Sequence, residues 1–70
     1  MNVKIKYNLY ELRCRRNLSI RQLERLSGVS KSTINNIENG RYDPTVKTLC
    51  LLAGALKTTP EKLYSYRFTL

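Results

Sequence analysis

The sequence contains no histidine and no tryptophan, and only two cysteines, two prolines and three glycines. Without an imidazole, no serine or cysteine catalytic triad can be assembled. Cys14 and Cys50 are too few for a four-thiolate zinc site, and no histidine can complete one, so no metal and no cofactor is expected. The remaining polar residues supply no recognisable nucleophile–base pair and no phosphate loop, so an enzyme is not expected. Two cysteines could close one disulfide, but small secreted scaffolds are denser in cysteine. Two free thiols in a reducing cytoplasm is the favoured reading. Long apolar runs are also missing. The stretch 49–56, between Lys47 and Lys57, falls far short of the roughly 20 residues that a spanning helix needs. Lys4 and Lys6 are followed by no apolar segment of the kind a secretory signal requires.

Acidic residues are scarce as well. Five Asp plus Glu stand against 13 Lys plus Arg in 70 residues, for a formal net charge of +8. That excess favours a polyanionic partner, nucleic acid before an anionic membrane surface; a merely soluble basic domain is the bland alternative. The length allows one domain, residues 1–70, with a small core, since a chain of this size buries only about 60% of its unfolded surface.

Local signals divide the chain. Leu9, Leu12, Arg13 and Arg16 recur at helical spacing and predict a helix over 8–16. Ser19, with Gln22 three residues on, reads as a capping box opening a helix that presents Ile20, Leu23 and Leu26 and stops before Gly28. Ser30 caps a third helix, with Ile34 and Ile37 on its inner face and Asn39-Gly40 as its end. Residues 41–44 read as a loop. Thr45 caps a fourth helix with the face Val46, Leu49, Cys50, Ala53 and Leu56, and Thr59-Pro60 opens a short fifth helix to about Tyr64. At the ends the period changes to two. Val3 and Ile5 alternate with lysines, and Tyr64, Tyr66 and Phe68 alternate with polar residues. This pattern predicts strands over 2–6 and 64–69, paired antiparallel over the helical core, with a frayed tail as the competing reading. The class is therefore all-α, five helices, with a short two-stranded β-ribbon formed by the termini.

The central stretch 19–40 has the spacing of a helix-turn-helix. Gly28 stands where the chain turns after the first helix, and Val29 and Ile34 are expected to face back onto Leu23. The open face of the second helix carries Lys31, Ser32, Thr33, Asn35 and Asn36 and no acid. Amides and hydroxyls both donate and accept, which suits base edges; an ordinary solvated helix face is the alternative. The cations fall on several helices rather than opposite one apolar stripe, which argues against a membrane-surface role.

The segments Leu18-Ser19-Ile20-Arg21-Gln22-Leu23, Leu26-Ser27-Gly28-Val29-Ser30-Lys31-Ser32-Thr33-Ile34 and Ile37-Glu38-Asn39-Gly40 closely resemble the Cro/phage-repressor (XRE) helix-turn-helix family. The resemblance runs on through Pro44-Thr45 and Thr48-Leu49 to Leu63. It implies a five-helix, lambda-repressor-like DNA-binding domain, cytoplasmic and bacterial or phage-encoded, usually dimeric on an operator with dyad symmetry. By position it implies that Lys31, Ser32 and Asn36 touch base edges and that Asn35 reaches a base or a phosphate. It places Ser19, Thr33, Asn39 and Arg41 on the sugar-phosphate backbone, with Arg21 near the start of the preceding helix. Ser30 would turn the N-terminus of its helix toward a phosphate. Arg13 and Glu38 match positions that form a buried or half-buried ion pair in relatives. That pair would orient rather than stabilise.

Some residues depart from the family pattern. Ile20 stands where relatives often have a phosphate-contacting Gln, so that anchor is lost or moved to Arg21 or Gln22. Glu24 replaces a small residue and is expected to point outward, pairing with Arg21 or Arg25. Leu51, off the main apolar face, would sit beneath the terminal strands or in a dimer interface, or simply stand exposed. The leading expectation is a sequence-specific regulator of transcription, a repressor, that binds a double-stranded DNA operator as a homodimer. No small-molecule ligand is evident, and the short length suggests control by concentration, a partner or competition for DNA. The competing expectation is a protein-interaction module, an antitoxin or anti-repressor, using the same fold.

Overall fold

A computed structural model describes all residues, 1–70. Strand β1 (Asn2–Tyr7) leads into α1 (Leu9–Arg15), α2 (Ile20–Ser27), α3 (Lys31–Glu38) and α4 (Val46–Ala55). A 3-10 turn at Pro60–Leu63 then feeds strand β2 (Tyr64–Thr69). The five-helix expectation is thus corrected to four α-helices plus one 3-10 turn. Pro60 sets the start of that turn, but Thr59 makes no side-chain cap bond and Tyr64 is already extended. Four residues form one tight turn and no more.

The helix starts follow the polar signals. The Ser19 hydroxyl accepts the Gln22 N–H at 3.1 Å while the Gln22 side-chain oxygen accepts the Ser19 N–H at 2.8 Å, which completes the capping box. Ser30 and Thr45 accept from Thr33 and Thr48 in the same way. Three helices end in a paired carbonyl motif closed by a left-handed residue, Asn17, Gly40 or Lys57. After α3, the Gly40 N–H reaches Ile37 and the Arg41 N–H reaches Asn36, the Schellman pattern. Gly40 has φ +69° and Gly28 has φ +78°, a conformation that a Cβ would penalise by about 1–2 kcal/mol.

The core is Leu9, Leu23, Val29, Ile34, Ile37, Leu52, Ala53, Leu56 and Leu63. One residue or more comes from every helix, so the helices hold one another. Val29 and Ile34 do pack with Leu23, and Ile20 lies half-buried against the same cluster. Two expected faces shift. Leu26 is exposed rather than inward, because α2 turns Leu23 and Ser27 to the core. On α4 the buried stripe is Leu52, Ala53 and Leu56, flanked by Leu49, so Val46 and Cys50 face outward. Leu51 is exposed too. Cys14 and Cys50 are exposed free thiols.

The termini pair antiparallel, Val3 with Phe68, Ile5 with Tyr66 and Tyr7 with Tyr64, and β1 extends one residue past the expected strand. The ribbon does not lie over the core. All its residues except those at its root and Thr69 are exposed. A six-residue strand spans about 20 Å, and the molecule measures 39 × 21 × 20 Å, so the ribbon projects along the long axis. Its root is fastened. The Asn8 N–H donates to the Leu63 carbonyl at 2.8 Å, and the Tyr7 hydroxyl donates to the Asp43 carboxylate at 2.7 Å. Burial, then the bond to Asp43 and its negative charge, push the Tyr7 phenol up to about 12. No helix is long and apolar enough to cross a membrane.

Candidate nucleic-acid interface

Helix α3 is fixed on one side and open on the other. Ile34 and Ile37 are fully buried. At about 100° per residue, the opposite arc carries Ser32, Asn35, Asn36 and Asn39, with Lys31 and Thr33 at its edges. The short connection from α2 sets the helix on its neighbour. Gly28 ends α2 in the left-handed region, its N–H bound to Glu24. The buried Ser27 hydroxyl then donates to the Leu23 carbonyl at 2.7 Å and accepts the Val29 N–H at 3.1 Å. One buried side chain therefore engages two backbone groups of the turn. Sequence reasoning passed over Ser27, which looks like any turn serine until its side chain is seen to be buried.

The far end of α3 is clamped by Arg13 of α1. Its Nε lies 2.6 Å from Glu38 Oε2, its Nη2 donates to Oε1 at 2.9 Å, and its Nη1 donates to the Leu18 carbonyl at 2.8 Å. Tyr10 stacks beneath the guanidinium, 5.3 Å from its ring centre, a cation–π contact. The hydrogen bond to Glu38, partly opposed by burial, raises the Arg13 pKa further above its ordinary value. The pair is nearly enclosed, with 11% and 7% of the two side chains exposed. A bidentate fork fixes direction as well as distance, so α3 cannot roll without breaking it.

Glu24 behaves differently from its expected role. Its carboxylate accepts the Lys31 N–H at 2.8 Å instead of pairing with Arg21 or Arg25. It therefore sits at the positive end of α3, where a carboxylate is favoured. Ser30 accepts the Thr33 N–H and also donates to the Thr33 hydroxyl at 2.8 Å. Two first-turn donors of α3 are thus satisfied from within the protein. The Lys31 N–H, one of the first-turn donors that a phosphate at this helix end would use, is thus taken by Glu24. The spacing i to i+7 across the turn was the available signal for this contact.

The candidate contact residues therefore fall into groups. Ser32, Asn35, Asn36 and Asn39 share the outward arc of α3. Asn39 donates to the Asn35 carbonyl at 2.8 Å and to its side-chain oxygen at 3.2 Å, so these two amides form one unit. Asn36 is half-buried and makes no side-chain hydrogen bond within the protein. Arg41 is exposed, and its backbone is held by the motif that ends α3. Ser19 and Arg21 are exposed at the start of α2 and form no hydrogen bond to α3. Both acids nearest α3 are engaged, Glu38 by Arg13 and Glu24 by the Lys31 N–H. The open arc itself bears no negative charge.

The model of a helix-turn-helix family matches residues 9–63. An HTH-type transcriptional regulator of Bacillus subtilis, RghRB, is 46% identical over 56 residues, which is 79% of this chain and 40% of that protein. The chain thus spans about two-fifths of that relative's length. An HTH_3 family transcriptional regulator from Vibrio cholerae superimposes with a TM-score of 0.75 at 36% identity, over 79% of this chain and 31% of its own. The restriction-modification controller protein C.AhdI from Aeromonas hydrophila gives a TM-score of 0.75 at 33% identity, over 79% of this chain and 83% of its own.

Proposed function

The chain belongs to the helix-turn-helix (HTH_3, XRE-type) family of transcriptional regulators, and on that premise we propose that it represses transcription by reading an operator in the major groove with α3. The observation that carries this reading is the outward arc of Ser32, Asn35, Asn36 and Asn39, free of acids on a helix that a buried ion pair holds at one end. Asn36, with no partner inside the protein, specifies a base, because a side-chain amide bonds adenine in a bidentate manner. Lys31 and Ser32 add base contacts. Ser19, Arg21, Thr33, Asn39 and Arg41 position the protein on the backbone, which supplies affinity without sequence information. Two copies on a dyad operator place their α3 helices one turn of DNA apart, about 34 Å.

The test begins with duplexes selected from a random pool by the wild-type protein. Binding is then measured by fluorescence anisotropy at several salt concentrations. Asn36→Ala relaxes preference at one base position by about 1–3 kcal/mol, while Arg41→Ala weakens all sequences alike and lowers the salt slope by about one. Identical behaviour of both variants on selected and random duplexes contradicts this division of roles.

A further inference from the structure

The ribbon lies outside the matched residues, 9–63, and its register sorts its side chains by face. Cross-strand partners share a face, and successive residues alternate. Val3 with Phe68, Ile5 with Tyr66 and Tyr7 with Tyr64 therefore stand on one face, which carries no charge. Asn2 with Thr69, Lys4 with Arg67 and Lys6 with Ser65 stand on the other. That second face carries three cations and otherwise only amide and hydroxyl groups.

Nothing in the chain neutralises these cations. Lys4, Lys6 and Arg67 are exposed, and the single ion pair of the protein, Arg13 with Glu38, lies elsewhere. Asp43, the acid bonded to the ribbon root, is held by Tyr7, a residue of the uncharged face. Lys4 and Arg67 face each other directly. Like charges so placed oppose strand pairing, in a two-stranded ribbon that is marginally stable at best on its own. The arrangement therefore weakens the ribbon and gains no partner within the fold. A cleft of about 330 Å³ is lined by Lys4, Lys6, Ser65 and Arg67, with Ile5 and Tyr66.

We infer that this cationic face binds the sugar-phosphate backbone of duplex DNA, as a second contact apart from the bases that α3 reads; this rests on the operator reading above and extends its surface. Lys4 and Lys6 stand two residues apart on one face, about 6.6–6.8 Å by strand rise, which is the spacing of successive phosphates along a nucleic-acid strand. The lysines offer point charges and Arg67 a two-pronged donor, and both suit phosphate oxygens. The two faces also favour a duplex over a single strand. A single strand stacks its bases on aromatic rings while cations track its backbone. Here Tyr66 and Phe68 stand on the face away from the cations, so bases cannot stack on them while the phosphates are held. A duplex turns its bases inward and presents phosphates alone. An anionic membrane fits poorly for the same reason, since inserting the apolar face would turn all three cations away from the headgroups. The contact is made by ammonium and guanidinium groups at the ends of long side chains, so the backbone amides of the apolar face are left undisturbed.

Fluorescence anisotropy of the full chain on selected and random duplexes, across several salt concentrations, tests this. Lys4→Gln with Arg67→Gln weakens binding to both duplexes alike and lowers the salt slope by about two. Its preference between the two duplexes stays within about twofold of the wild type. The exchange Lys4→Arg with Arg67→Lys keeps the slope. Tyr66→Ser with Phe68→Ser, on the opposite face, leaves the slope unchanged and the affinity within about twofold. Nuclear Overhauser contacts between Val3 and Phe68 in the glutamine variant show that its ribbon is still paired. A readout that needs no variant is the Nζ signals of Lys4 and Lys6, which shift when duplex is added to the wild type. An unchanged slope in the glutamine variant, or Nζ signals that do not move, overturns the inference, while sequence-selective binding by the same protein leaves the operator reading intact. So does a loss by the glutamine variant on single strands or on phosphatidylserine vesicles but not on the duplex. A slope that falls as expected in a protein that prefers no sequence refutes the operator reading alone.

Discussion

The helical body and the ribbon use similar residues to opposite ends. In the body, Leu23, Ile34, Ile37 and Leu52 are covered on all sides, and the two charges taken inside, Arg13 and Glu38, meet each other through two hydrogen bonds. In the ribbon, Val3, Ile5, Tyr66 and Phe68 are as apolar yet stand largely in water. The first arrangement fixes a helix so that its outer arc can be presented. The second leaves a face unsatisfied by its own chain. Burial, rather than composition, separates the part of the molecule that supports from the part left open to solvent.

The largest expected effect lies at the clamp. Arg13→Ala strands a nearly enclosed Glu38 carboxylate and is expected to cost about 3–5 kcal/mol, most of the stability of so small a domain. Phe68→Ala in the monomer changes stability by no more than about 0.5 kcal/mol, as an exposed site. Urea unfolding of both variants at a concentration that keeps the protein monomeric checks the contrast. If Phe68→Ala costs as much as Arg13→Ala, the ribbon is part of the core and the comparison fails.

A smaller effect belongs to the turn. Gly28→Ala places a Cβ at φ +78°, where nothing lies within 4 Å of it, so the cost is backbone strain alone, about 1–2 kcal/mol. A thermal melt reads it. A cost near zero would mean that the α2–α3 turn relaxes and does not fix the angle of α3.

The smallest effect lies at the joint between the two regions. Tyr7 has its phenol raised to about 12 in the folded chain against 10.0 for the ordinary group. The folded state favours the protonated phenol, so this contribution is complete below pH 10 and is lost as pH rises toward about 12. Tyr7→Phe is expected to remove that part of the alkaline decline in stability. An unchanged decline would show that the bond to Asp43 does not couple ribbon and body.

Much of the body was legible in the sequence because its signals are local. The Ser19–Gln22 spacing, Gly28 and Gly40 each dictate backbone geometry within a few residues. Ile34 and Ile37 report the inner face by period alone. What escaped depends on partners distant in sequence or on rotation within a turn. Glu24 meets the Lys31 N–H across the turn, and Ser27 acquires its role because its own side chain is turned inward between the Leu23 carbonyl and the Val29 N–H. Val46 and Leu26 fit an apolar stripe by spacing but fall outside the cluster when the helices dock. The ribbon's pairing followed from its period of two, whereas its projection away from the core depended on where the 3-10 turn at Pro60–Leu63 releases β2.

The central claim is that α3 meets DNA while the apolar ribbon face does not. Amide chemical-shift mapping with a duplex selected by the wild-type protein tests it most directly. Shifts concentrated over residues 30–41, with Val3, Ile5, Tyr66 and Phe68 unmoved by DNA, are the predicted result. Shifts concentrated on the ribbon, with Ser32, Asn35 and Asn36 unmoved, would contradict it.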